Sequence, residues 1–256
     1  MPAVFIGHGT PLNALWDNEF TRRWAELGRT LPEPAAIVVV SAHWVTRGGA
    51  YVTAGAHPKV VYDMGGFPAK LYEVKYPAPG SPELAAELAR TLETTHVELN
   101  GDWGFDHGTW SVLVHMYPRA DIPVLQLSLD YSLPPERHLE LGRELAFLRD
   151  RNVLLLGSGQ IVHNLGLAGS RIEDVPPYEW AVEFDSIVKG AIEARDFAKA
   201  ARLDGLGRLA HIAHPTYEHY LPLLYVLGAA RSDDDLSWVC EGIVSGCHDM
   251  RSLLVA

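Results

Sequence analysis

Ala36-Ile37-Val38-Val39-Val40-Ser41-Ala42-His43-Trp44 constrains this chain more than any other stretch. Its apolar residues follow one another without alternation. That reads as a strand covered on both faces, the pattern of a central strand in an α/β sheet. Functional groups of such sheets collect in the crevice beyond the carboxyl ends of the strands. The run stops at His43. Val4-Phe5-Ile6-Gly7-His8-Gly9 also ends on a histidine, with glycines that permit a sharp turn. Leu154-Leu155-Leu156-Gly157-Ser158-Gly159 is a third such run, with His163 just beyond. One histidine so placed has an ordinary explanation as a hydrogen-bonded core or surface residue. Three with the same grammar deliver three imidazoles to one rim and point to a metal site.

At 256 residues the chain suits a single α/β domain with a large core and no staples. Hydrophobic content is 48% and charged content 21%, the balance of a soluble globular protein. Lys+Arg 21 against Asp+Glu 32 gives a net charge of −11, and no basic cluster interrupts it. Nucleic acid and anionic membranes are therefore excluded as expected partners. Cys240 and Cys247 make neither a disulfide framework nor a zinc knuckle, and such scarcity fits a reducing compartment. With no leader-like start and no apolar stretch near the roughly 20 residues that span a bilayer, a cytoplasmic protein is expected.

The spacing of Phe20, Trp24 and Leu27 predicts a helix over 18–27. Strands are expected at 51–54, 97–99 and 122–129, and amphipathic helices at 82–92, capped by Ser81, and at 134–149. Residues 111–117 read as helical, 178–203 as one or two helices, and 233–256 as short strands at a sheet edge. No repeat or low-complexity tract marks a boundary. The segment 58–82, rich in Gly, Pro and aromatics, is long for an irregular stretch and reads as a lid or pocket wall.

A further histidine lies in His214-Pro215-Thr216-Tyr217-Glu218-His219-Tyr220-Leu221-Pro222. Thr216 reads as an N-cap, with Tyr217, Glu218 and His219 in the first helical turn. Adjacent helix residues diverge by about 100° of rotation, so Glu218 and His219 should not both reach one metal. Leu223 and Val226 share the face of His219, which makes it the inward-facing ligand candidate. Glu218 has a sufficient role as an acid at a helix N-terminus. Imidazoles from separate elements suit zinc or iron, not calcium or magnesium.

Gly7-His8-Gly9-Thr10-Pro11, Ser41-Ala42-His43-Trp44, Gly65-Gly66-Phe67-Pro68, Tyr76-Pro77-Ala78-Pro79-Gly80, Asp106-His107-Gly108, His163-Asn164-Leu165 and Pro215-Thr216-Tyr217-Glu218-His219 occur in that order. Together they resemble the DODA-type (4,5-DOPA) extradiol aromatic ring-opening dioxygenases of the class III extradiol superfamily. The resemblance implies a single catalytic domain in which a mixed, mostly parallel sheet flanked by helices carries a metal at its strand ends. It implies His8, His43 and His219 as metal ligands, with His163 as acid/base and possible fourth ligand, and His107 as a substrate contact. The superfamily typically uses two histidines and a carboxylate, so the third imidazole is a departure. So is His214, where a small polar residue is expected.

The implied substrates are dioxygen and a small aromatic diol. A catechol chelates one metal through adjacent hydroxyls, and iron(II) with three facial protein ligands leaves room for both substrates. Zinc could occupy the same site. A base must take a phenolic proton and an acid must return one, which a single imidazole can do. Trp44, Tyr62 and Phe67 are candidates to stack on the ring. A zinc hydrolase with the same ligands, or a scaffold of the same fold without turnover, would be the alternatives.

Overall fold

The computed structural model describes residues 1–168 and 175–256. Its strands are β1 (Ala3–Gly7), β2 (Ala36–Thr46), β3 (Ala50–Thr53), β4 (Val97–Asn100), β5 (Val124–Asp130), β6 (Val153–Gly159), β7 (Leu236–Cys240), β8 (Ile243–Val244), β9 (His248–Asp249) and β10 (Ser252–Val255). Eight form one sheet in the order β4-β3-β5-β2-β6-β1-β10-β7. The inner strands β5, β2, β6 and β1 run parallel, while β3 meets β5, and β10 meets β1 and β7, in antiparallel fashion. The sheet is thus mixed, with its parallel part at the centre, and helices cover both faces.

The unbroken apolar run of β2 has a direct cause. Val38 and Val40 enter one core with helices 82–91, 135–145, 179–193 and 221–228, while Ile37 and Val39 enter the other with helices 19–30 and 107–116. Both faces are dry, so alternation has no use there. The terminal strands are only partly at an edge: β7 is outermost, whereas β10 lies beside β1.

Three differences from expectation bear on function. β2 does not stop at His43. Its pairing with β5 passes from Val40↔Leu127 to Val45↔Leu129, so four residues of β2 stand against one of β5. His43 lies inside this irregularity, which aims side chains where a regular pleat would not. Next, the helix expected over 111–117 begins at His107, because Asp106 caps it by accepting from Thr109 N. Asp106 is itself held by Ser41 Oγ at 2.7 Å and by Gln126 Nε2.

The third difference is a correction to the 214–228 segment. The helix spans Leu221–Gly228, with Pro222 in its first turn, and Thr216 is not its cap: the Thr216 hydroxyl donates to Glu218 Oε1. Residues 217–220 form a turn in which Tyr217 O accepts from Tyr220 N and Leu221 N. The divergence of side chains on a helix therefore does not apply to Glu218 and His219. Two glycines of β6 let this segment lie against the strand. A Cβ on Gly159 would stand 2.1 Å from His219 O, and one on Gly157 would stand 2.5 Å from Pro222 O. Gln160 N then donates to His219 O at 2.8 Å, which ties the histidine to the end of β6.

Candidate metal centre

The ends of β1 and β6, the bulge of β2, the first turn of helix 107–116 and the 217–220 turn meet at one cavity of about 320 Å³. His8, His43, His107, His163 and His219 all line it. Ring centroids are 5.1 Å apart for His8 and His43, 5.5 Å for His8 and His219, and 4.8 Å for His43 and His219. Two strands and a turn far apart in sequence thus bring these three imidazoles together.

The way these rings are held decides what they offer. His8 Nδ1 lies 2.9 Å from Ser158 Oγ, whose hydroxyl donates to Gly108 O. Ser158 can therefore only accept from His8, which keeps its hydrogen on Nδ1 and presents a bare Nε2. His107 donates twice to Asp63, through Nδ1 to Oδ2 and through its backbone N to Oδ1, both at 2.8 Å. The same Oδ2 is 3.4 Å from His43 Nδ1, and Glu218 Oε1 is 3.4 Å from His219 Nδ1. In each of the four rings an oxygen stands at Nδ1. Nε2 is left for the cavity, and those of His8 and His43 face each other at 3.2 Å.

Charge is arranged to match. Burial, reinforced by neighbouring imidazoles, holds His8 and His219 well below the ordinary histidine pKa. The same causes take His43 to about 3, against the pull of Asp63, and His163 to about 2. All four are neutral at neutral pH, the form a metal requires. Burial works against charge on Asp63, but His107 and His43 more than offset it and keep the carboxyl below its usual range. His8 presents a bare Nε2 to that of His43, and at 3.2 Å the pair is joined either by one hydrogen carried on His43 Nε2 or by a cation bound to both nitrogens. The donor set therefore fits a first-row metal that accepts nitrogen.

Donor atoms fall into two groups, each within 4.8 Å: His8, His43 and His107; and His163, Glu218 and His219. The carboxylate that the helical reading sent away from His219 is thus its neighbour. His163 stacks on His219 with centroids 3.5 Å apart and planes 11° from parallel. Phe67, with Met64, Pro11 and Leu165, forms the apolar wall. The 58–82 segment does line the pocket, but not through Tyr62, whose hydroxyl donates to Val74 O while its ring packs on Trp110. Trp44 is likewise absent from the lining, since its indole stacks on Trp103 at 5.4 Å. Both aromatics serve packing, because the strand and loop that carry them turn those side chains into neighbouring elements. His214 is buried with Nε2 2.6 Å from Ile161 O, a structural role.

Asp63, Ser158 and His248 belong to the site and are not evident from sequence. Asp63 and Ser158 sit inside stretches singled out for other residues, but their partners are 44 and 150 positions away. Replacing Asp63 with asparagine is expected to weaken metal binding about 10–100-fold, the usual cost of losing a carboxylate behind an imidazole. A metal-competition titration would measure it, and unchanged affinity would deny Asp63 this role.

Residues 2–245 match the family model described as the catalytic LigB subunit of aromatic ring-opening dioxygenase. The chain is 48% identical over 262 residues to 4,5-DOPA dioxygenase extradiol of Escherichia coli K12, covering 100% of this chain and 94% of that one. It is 38% identical to 4,5-DOPA dioxygenase extradiol of Beta vulgaris, covering 88% and 85%. The crystal structure of an uncharacterized Escherichia coli K12 protein superposes with a TM-score of 0.85 at 45% identity, with both chains fully covered. With its histidine-lined cavity at the strand ends and these matches along its length, this chain belongs to the LigB family of aromatic ring-opening dioxygenases.

Proposed function

We propose that this protein opens the ring of a catechol with dioxygen, beside the hydroxyl pair, using iron(II) held by His8, His43 and His219. The observation that carries this reading is the set of buried, neutral imidazoles whose Nδ1 atoms are engaged and whose Nε2 atoms are left for one cavity. Iron(II), when bound, supplies a Lewis acid that acidifies catechol hydroxyls and a redox partner for dioxygen; zinc in the same donors supplies only the first.

The chain's own residues do the rest. His163, kept uncharged by burial, can accept the phenolic proton. A catecholate beside it favours the protonated ring by direct attraction, so His163 holds that proton until it is returned to the cleaving oxygen. His107, oriented by Asp63, presents Nε2 to a substrate oxygen. Phe67, Met64 and Leu165 exclude water from one side of the ring, in a cavity at the lower end of the ~300–1,000 Å³ range of small-ligand pockets. Both cysteines are free, which agrees with a cytoplasmic setting. No helix among the described residues is long and apolar enough to cross a membrane.

The test is anaerobic loading with iron(II), then air and a panel of catechols. Oxygen uptake with a coloured semialdehyde product is the expected result. Silence with every catechol, with ester or amide cleavage by the zinc-loaded protein, would replace this reading with a hydrolase.

A further inference from the structure

Asp106 is fully buried and does not line the cavity, yet three of the site's imidazoles depend on the turn it caps. Its Oδ1 accepts from Ser41 Oγ at 2.7 Å and from Thr109 N at 3.2 Å, and its Oδ2 accepts from Gln126 Nε2. Gln126 answers through Oε1, which accepts from Asp106 N at 3.2 Å and from Thr109 Oγ1 at 2.9 Å. Gln126 is itself fixed on β5, where its backbone N donates to Thr53 Oγ1 of β3 at 2.8 Å. Both side chains are thereby committed. Gln126 cannot exchange the two ends of its amide without losing both of those donors, and each oxygen of Asp106 already has a donor.

From this joint the constraint reaches three rings. Ser41, having given its hydrogen to Asp106, accepts from His43 N at 3.3 Å. Between Val40 and Val45 the ladder to β5 is interrupted, so side-chain bonds take over the task of fixing His43. His107 is the first residue of the helix that Asp106 caps. Gly108 follows, so close to β2 that a Cβ there would stand 2.5 Å from Ser41 Oγ and 3.1 Å from His43 Cδ2. Gly108 O accepts from Ser158 Oγ at 2.5 Å, and that hydroxyl meets His8 Nδ1.

We propose that Asp106 is a positioning residue: through Ser41 and the first turn of helix 107–116 it sets the His43 ring against the His107 ring. On the ring-cleaving reading, on which this inference rests, it thereby sets the imidazole that contacts substrate against the metal. The two ring centroids are 3.8 Å apart with planes at 45°. A misplacement of about 1 Å in such a pair is enough to cost about 10²-fold in rate.

Cobalt(II) is the probe, because its visible absorption bands report the geometry of its donors. Asp106→Asn keeps an acceptor for Ser41 but sets one amide NH₂ against that of Gln126. Combining Asp106→Asn with Gln126→Glu restores a donor–acceptor pair at the same total charge. The single variant is expected to move the cobalt bands and to weaken binding of 4-methylcatechol to the oxygen-free cobalt protein by about tenfold, and the pair to return most of both. Ser41→Ala, which cuts the route to His43, is expected to move the bands as well, and it decides the matter should Asp106→Asn not fold. A merely structural role lowers the unfolding temperature and leaves the bands of the folded protein in place. Bands unmoved by Asp106→Asn or, where that variant does not fold, by Ser41→Ala would overturn the proposal, as would a change that the paired substitution does not return. Wild-type protein that takes up cobalt but binds no catechol would instead remove the ring-cleaving reading and this inference with it.

Discussion

The protein with His43 replaced by alanine is expected to come through gel filtration without iron, while the unaltered protein retains about one iron per chain. His43 Nε2 faces that of His8 at 3.2 Å, and its ring centroid is 4.8 Å from that of His219. On the proposed ligand set, removing it takes away one of three nitrogens, not the support behind one. Loss of an outer partner costs 10–100-fold in affinity, so loss of a ligand should exceed about 100-fold. His8→Ala and His219→Ala should do the same. Glu218→Ala should be milder, because its carboxylate stands behind His219 Nδ1 at 3.4 Å. If His43→Ala kept its iron, or if Glu218→Ala lost iron while His219→Ala kept it, the ligand set would have to be redrawn around the carboxylate. The metal-free variant should stay folded, since β2 is anchored below the bulge by its pairing with β5 and β6.

Why three of these histidines could be found in the sequence, and Asp63 could not, follows from the range of the forces involved. A strand buried on both faces is written locally, as consecutive apolar residues, and its end marks the rim of the sheet. His8 and His163 are legible for that reason, whereas His43 is legible because the apolar run breaks there, although its strand continues through the irregularity to Thr46. His219 was legible by composition but not by conformation. Its helix begins two residues later, at a proline-bearing first turn, so the argument from helical rotation misjudged Glu218. Asp63, Ser158 and His248 acquire meaning only when the sheet order and the crossing of loop 58–82 bring them to rings distant in sequence. Nothing about an aspartate between Tyr62 and Met64 announces a histidine at 107. Trp44 and Tyr62 show the converse: an aromatic next to a site residue is turned away by the pleat or the loop and packs elsewhere.

Ring orientation also separates His163 from the proposed ligands and predicts the second large effect. In the proposed set the His219 ring would hold the metal through Nε2. The His163 ring is nearly parallel to it, with its centroid 3.5 Å away, so lone pairs on the two rings run side by side and do not converge. The His163 donor nitrogen lies within 4.8 Å of the donor atoms of His219 and Glu218, and ring orientation is what leaves His163 outside the proposed ligand set. His163 is instead well placed to reach a substrate oxygen bound next to the metal. His163→Ala is therefore expected to keep iron with affinity within about tenfold of the parent, yet to lose about 10²–10⁴-fold in kcat, the range supplied by a positioned acid/base. Iron content and single-turnover rates on the same preparation separate the two effects. Loss of iron from His163→Ala would show that the stack opens to admit a fourth ligand. Retention of both iron and kcat would move the proton transfer to His107, whose Nε2 is the other imidazole nitrogen offered to substrate.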